Sequence, residues 1–102
     1  MFGFGKNKPT ASARHILVAD KEACEKLKTE IEAGADFAEV AKQHSTCPSG
    51  QRGGDLGSFT QGQMVKPFDD VVFTAELGKV HGPVGTQFGW HLIEITARNE
   101  AE

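Results

Sequence analysis

The sequence predicts an α+β domain, with strands at both ends of the chain and helices between them. Three observations carry that expectation. Residues 13–18 (ARHILV) read as a strand that is largely buried at its end. Two stretches between residues 21 and 44 repeat apolar residues at helical spacing. Residues 87–97 read as a long closing strand.

Taken in order, residues 1–11 (MFGFGKNKPTA) show no periodicity and carry Gly3, Gly5 and Pro9, so a flexible lead-in is expected. In the first strand His15 and Leu17 alternate with Arg14, Ile16 and Val18. Asp20 suits the N-cap of a first helix that puts Ala23, Cys24, Leu27 and Ile31 on one face and stops at Gly34. Asp36 caps a second helix, with Glu39 completing a capping-box pair. Phe37, Val40, Ala41 and His44 are expected to share its buried face. Residues 45–66 lack periodicity apart from a short strand at Leu56–Phe59, and so long a loop in so small a domain is usually functional. Pro67 opens a third helix, whose buried side is Phe68, Val71, Val72 and Ala75 and which Gly78 ends. A strand over residues 79–84 and the long strand from Gln87 to Ala97 follow, the latter with His91, Ile93 and Ile95 on one face.

The 102 residues fit one domain with one modest core. A net charge of −3 gives no general attraction to nucleic acid or to a membrane surface, and no apolar run is long enough to span a bilayer. Cys24 and Cys47 imply no disulfide framework, and the N-terminal segment lacks the long apolar core of a secretory signal. Both readings point to a reducing, cytoplasmic setting. The first 19 residues hold Lys6, Lys8 and Arg14 and no acid. A loose tail is expected there, the alternative being a segment that directs the chain to an organelle matrix or a membrane surface.

Two histidines stand on apolar strand faces, His15 in the first strand and His91 in the last. A buried imidazole needs hydrogen-bond partners, and neutral rings offer one donor and one acceptor each. The residues alone leave two readings open: the rings bond each other, or each is satisfied separately. Cys47 in its loop is open to three readings, a nucleophile, a metal ligand with the histidines, or an unreactive polar contact. Met64, Phe68 and Phe88 are either core or the lining of a dry pocket.

The order of short motifs decides among these. His15-Ile16-Leu17 is followed by Cys47-Pro48-Ser49-Gly50 and by Gly53-Gly54-Asp55-Leu56-Gly57. Then come Gly62-Gln63-Met64-Val65-Lys66-Pro67-Phe68, Gly82-Pro83-Val84 and Gln87-Phe88-Gly89-Trp90-His91. This succession resembles the parvulin family of peptidyl-prolyl isomerases over about residues 13–98. The resemblance implies a four-stranded antiparallel sheet surrounded by three to four helices, with a domain over 12–98 and tails at 1–11 and 99–102. It implies that His15 and His91 are paired, that Cys47 faces them, and that Leu56, Met64, Phe68 and Phe88 take a proline ring. Thr86 and Gln87 stand where the family has polar residues near the histidines. Trp90, where the family often has Tyr or Ile, is expected to point away from the site. No metal or cofactor is implied, and the partner is a proline-containing polypeptide rather than nucleic acid, met by a monomer. Phosphate-dependent parvulins resemble one another in a basic, extended loop after the first strand. Here that connection is about Ala19-Asp20, so unphosphorylated substrates are expected. The competing functions are a Cys/His hydrolase and a binding module that holds chains without turnover.

Overall fold

The structure, a computed structural model, describes residues 9–99. Its elements are β1 (Thr10–Val18), α1 (Lys21–Glu32), α2 (Phe37–His44), a short 3-10 helix (Pro48–Arg52), β2 (Asp55–Thr60), α3 (Lys66–Thr74), β3 (Val80–Thr86) and β4 (Gly89–Asn99). The strands form one antiparallel sheet in the order β2-β1-β4-β3, so the first and last strands are its central pair. The α+β class and the four-stranded antiparallel sheet read from the sequence are therefore present.

Both faces of the central pair are covered, which is why β4 carries the run Leu92-Ile93-Glu94-Ile95 with its three aliphatic residues fully buried. Ile16, Val18 and Leu92 point to one face and meet Cys24 and Leu27 of α1 and Phe37, Val40 and Ala41 of α2. Trp90 packs against this same core. Ala11, Ala13, Ile93 and Ile95 point to the other face and meet Phe59 of β2 and Phe68 and Val72 of α3. The β1–β4 register sets Leu17 opposite His91 and His15 opposite Ile93. With side chains alternating along a strand, His15 and His91 therefore fall on the same face, diagonal to each other.

Several boundaries differ from the expected ones. Thr10 and Ala11, assigned to the lead-in, belong to β1, where they pair with Thr60 and Phe59 on one side and Asn99 and Arg98 on the other. Asn99 likewise ends β4 and is not a tail residue. Small residues gave these segments no alternation to read, and the pairing on both sides of β1 supplies the order. Residues 1–8 and 100–102, with Phe2, Phe4, Lys6 and Lys8, lie outside the described residues. Arg14 is part of β1, ion-paired with Glu94 and stacked 4.6 Å from the centre of the Phe37 ring. Asp36 accepts the Glu39 N–H at 3.1 Å, whereas Asp20 stands at the N-cap of α1 without a side-chain bond to it. His44 is exposed on the last turn of α2. α3 ends at Thr74, before Gly78, with Ala75 already extended. Gln87 and Phe88 form the tip of the β3–β4 hairpin and not the start of the last strand.

Candidate active site

The face that carries Ile93 and Ile95 is covered by α3 only as far as Phe68. Beyond that residue lies a cavity of about 500 Å³, within the range of small-ligand sites. His15, Leu17 and His91 reach it from the sheet, Leu56 from β2, and Met64, Val65 and Phe68 from the β2–α3 connection and α3. Thr46, Cys47 and Pro48 close one side, and Gln63 and Phe88 also line it. Phe88 is 60% exposed at the hairpin tip, the largest exposure of a big apolar residue among those described. The lining is mostly apolar, and its polar side chains are those of His15, Thr46, Cys47, Gln63 and His91.

His15, Cys47 and His91 belong to a continuous hydrogen-bonded line. The Phe88 N–H donates to Thr86 Oγ1 at 3.1 Å. Thr86 Oγ1 lies 2.7 Å from His91 Nε2. The two imidazoles meet at Nδ1, 3.0 Å apart, with their rings nearly parallel at 19°. His15 Nε2 is 3.2 Å from Ser49 Oγ, whose hydroxyl donates to Cys47 Sγ at 3.3 Å. One assignment of protons satisfies the whole line with one hydrogen per ring. The Ser49 hydroxyl goes to sulfur, His15 Nε2–H to Ser49, His91 Nδ1–H to His15, and the Thr86 hydroxyl to His91. Phe68 stands edge-on to both rings, at 5.5 Å from His15 and 5.3 Å from His91. It holds them from the cavity side.

Burial keeps both rings neutral. The pKa of His15 is lowered from 6.5 to about 4, first by loss of water and second by the repulsion of a charged His91. Burial lowers that of His91 as well. Between pH 6.5 and 4 the unfolded chain therefore binds a proton at His15 that the folded chain does not. The contribution of neutral His15 is complete above about pH 6.5 and is lost as pH falls toward 4, by roughly 3 kcal/mol at about 1.4 kcal/mol per pK unit. Urea midpoints from pH 4 to 7 should fall more steeply toward acid for the wild type than for His15→Leu. Equal slopes would refute the neutral buried pair.

Loop backbone fixes Cys47 relative to the sheet. Ser45 Oγ accepts the Leu17 N–H at 3.0 Å and the Cys47 N–H at 3.4 Å, and the Thr46 N–H donates to the Leu17 carbonyl at 2.8 Å. β2 stops pairing with β1 at Arg14, and this loop takes over the edge of β1 from there. The connection after β2 is pinned too: Asp69, buried on α3, accepts the Gly62 N–H at 2.8 Å.

The structure thus gathers His15, Cys47, Leu56, Met64, Phe68, Phe88 and His91 around one cavity. Thr86 is behind His91, bonded to its ring and not lining the cavity. Gln87 is the exception: the hairpin tip turns it outward, exposed and away from the cavity. Sequence reasoning missed Ser49, the bridge between His15 and Cys47. The available signals were its position two residues after a loop cysteine and its place in the motif Cys47-Pro48-Ser49-Gly50. It also missed Leu17, Thr46, Pro48, Gln63 and Val65, the last two of which flank Met64 in a motif already singled out. Cys47 Sγ contacts a serine hydroxyl and no imidazole, so the direct thiol–base pair of a Cys/His hydrolase is not present among the described residues. Among those residues no three His, Cys, Asp or Glu side chains cluster as metal ligands.

The histidine pair at the centre of the sheet thus lies in the wall of a largely apolar cavity. The chain belongs to the PpiC-type peptidyl-prolyl isomerase family, the parvulins: the family's domain model matches residues 4–99. It is 46% identical over 94 residues to the foldase protein PrsA of a Geobacillus species, covering 91% of this chain and 34% of that protein. The crystal structure of the PrsA isomerase of Bacillus anthracis superposes with a TM-score of 0.89 at 35% identity, over 93% of this chain and 44% of that one. NmPin, the parvulin of Nitrosopumilus maritimus, superposes with a TM-score of 0.79 at 33% identity, over 89% of this chain and 99% of its own. The chain therefore spans about a third of the length of the foldase relative and matches nearly the whole of the NmPin chain.

Proposed function

We propose that the cavity seats the proline ring of an X–Pro segment in a flexible or unfolded polypeptide and accelerates rotation about its peptide bond. The observation that carries this reading is the largely apolar cavity with a neutral, hydrogen-bonded histidine pair in its wall. Rotation breaks no covalent bond. The obstacle is amide resonance, with a barrier of about 18–20 kcal/mol. A twisted amide has lost that resonance, and its nitrogen becomes pyramidal. A site that holds the ring in Leu56, Met64, Phe68 and Phe88 while excluding water favours the twisted state over both planar ones. His15 and His91 orient the site, with Thr86 fixing the outer nitrogen of His91. Cys47 tunes the field felt by the substrate carbonyl and nitrogen and forms no adduct. No cofactor enters this scheme.

Cys47→Ser should accordingly retain turnover within about tenfold of the wild type, since serine keeps a polar atom next to Ser49. A covalent nucleophile does not survive that exchange at near-normal rate. Abolished activity in a folded Cys47→Ser protein would point to covalent catalysis.

The polypeptide is unphosphorylated in this reading, because the β1–α1 connection is Ala19-Asp20 and brings no arginine cluster to the rim. A peptide series with Leu, Ala, Glu or phosphoserine before proline, compared by kcat/KM at fixed ionic strength, tests both points. Turnover is expected for the Leu and Ala peptides. A phosphoserine peptide turned over more than tenfold faster would sink the phosphate-independent reading, and no acceleration of any peptide would leave a holding module. Two finer points belong to the same proposal. A cytoplasmic setting suits the free Cys47 thiol at the site, and the domain acts as a monomer that does not bind nucleic acid. No helix among the described residues is long and apolar enough to cross a membrane.

A further inference from the structure

We propose that Gln63 is a substrate-binding residue, its side-chain amide donating a hydrogen bond to a backbone carbonyl of the polypeptide whose proline occupies the cavity. The inference rests on the isomerase reading above. Gln63 lines the cavity beside Met64 and Val65. Its amide is oriented by its neighbours. Oε1 accepts both the backbone N–H of Thr60 and the Thr60 hydroxyl, the latter at 2.9 Å. Two donors demand the oxygen at that position, so the nitrogen is turned the other way. The Gln63 N–H closes the same turn onto the Thr60 carbonyl at 3.2 Å. Asp69 ties the preceding residue, Gly62, to α3. The loop therefore presents the amide nitrogen from a fixed frame, with little ordering left to be done on binding.

The imidazole nitrogens that border the cavity are committed within the protein. Both nitrogens of His15 are engaged, by His91 and Ser49, and both of His91, by His15 and Thr86. The Thr46 hydroxyl donates to the Leu17 carbonyl, and Cys47 Sγ accepts from Ser49. Gln63 Nε2 has two N–H donors and no protein partner among the described residues. A peptide entering an apolar cavity leaves water behind at its carbonyls, and a carbonyl without a donor is costly to bury. Gln63 Nε2 is a side-chain amide donor at the cavity, placed to meet it.

Two variants test this in the full chain. Gln63→Glu keeps an oxygen for the Thr60 donors and removes both N–H groups, while Gln63→Met keeps the length and removes all polarity. Gln63 is exposed, so neither substitution threatens the core. With an Ala-Pro peptide, kcat/KM is expected to fall about three- to tenfold in both, the size of one neutral hydrogen bond. Urea midpoints should match the wild type, and the Gly62 amide should keep its protection from exchange in Gln63→Glu. A second readout is specific to the carbonyl. Peptides carrying a single thioxo group, a poorer acceptor, should slow the wild type at one carbonyl, and at that carbonyl Gln63→Met should lose nothing further. Unchanged kcat/KM in Gln63→Met, or a loss that is the same with every thioxo peptide, would overturn the assignment. A wild-type protein that fails to accelerate the parent peptide would instead remove the isomerase reading itself, so the two failures are distinguishable.

Discussion

Gly54→Ala is expected to disable the site while Gly57→Ala, three residues away, leaves it working. Both glycines have positive φ, 87° at Gly54 and 72° at Gly57, so alanine is strained at either by about 1–2 kcal/mol. Their surroundings differ. A methyl group at Gly57 meets nothing within 4 Å, whereas one at Gly54 overlaps the carbonyl oxygen of His15. Gly54 lies directly on the backbone of β1, and its own carbonyl accepts the His15 N–H at 2.9 Å. Since the overlap is with backbone, relief requires β1 to move at His15. That displaces the ring from His91 and from Ser49, at about 1–3 kcal/mol for the overpacking in addition to the strain. The measurement is kcat/KM and urea unfolding of both variants, at a temperature where both are folded. Gly57→Ala should keep most of the activity, and Gly54→Ala should lose at least about tenfold, a loss that a displacement of only 1 Å can produce. Equal losses would show that the close approach to His15 is unimportant.

Phe68 gives the second large effect, because it serves two purposes at once. It is 3% exposed, packs against Phe59 at 6.5 Å, and stands edge-on to both histidines while lining the cavity. Truncation to alanine should cost about 3–5 kcal/mol of stability, a large share of what a domain this size possesses. Phe59→Ala is the control. Phe59 is 6% exposed and belongs to the same core but does not line the cavity. Compared at low temperature with folded fractions equalised, both variants should be destabilised by similar amounts. Phe68→Ala should also lose kcat/KM, since the proline ring has lost its wall and the histidines their support. Phe68→Leu should recover part of both. If Phe59→Ala and Phe68→Ala lowered kcat/KM equally, the cavity assignment would be wrong and Phe68 would be core alone.

The amphipathic period and the caps placed α1 and α2 correctly from sequence, and the period placed α3, because those signals act within a few residues of each other. Cys24 and Leu27 are buried as expected, and Asp36 caps through the atom its type provides. Local signals failed where long-range pairing decides. Thr10, Ala11 and Asn99 have no alternation to mark them as strand, yet both edges of β1 are satisfied by β2 and β4. His44 shares the helical period of Phe37, but the packing of α2 on the core ends at Ala41. Gln87 stands next to Thr86 in the chain, and the hairpin tip sends the two side chains in different directions.

What the sequence determined by itself is the α+β class, the order of its elements and the motif succession that resembles the parvulins. These depend on residue type and spacing along the chain. Residue types alone left open whether His15 touches His91, what Cys47 does, and whether Met64, Phe68 and Phe88 line a pocket, which they do. The β1–β4 register answers the first, since two positions 76 residues apart become diagonal neighbours on one face with their Nδ1 atoms 3.0 Å apart. The loop that continues the edge of β1 gives Cys47 its partner, since it brings Ser49 between sulfur and imidazole. Such contacts are fixed by how strands pair and loops dock across the whole chain, which no local stretch of sequence encodes.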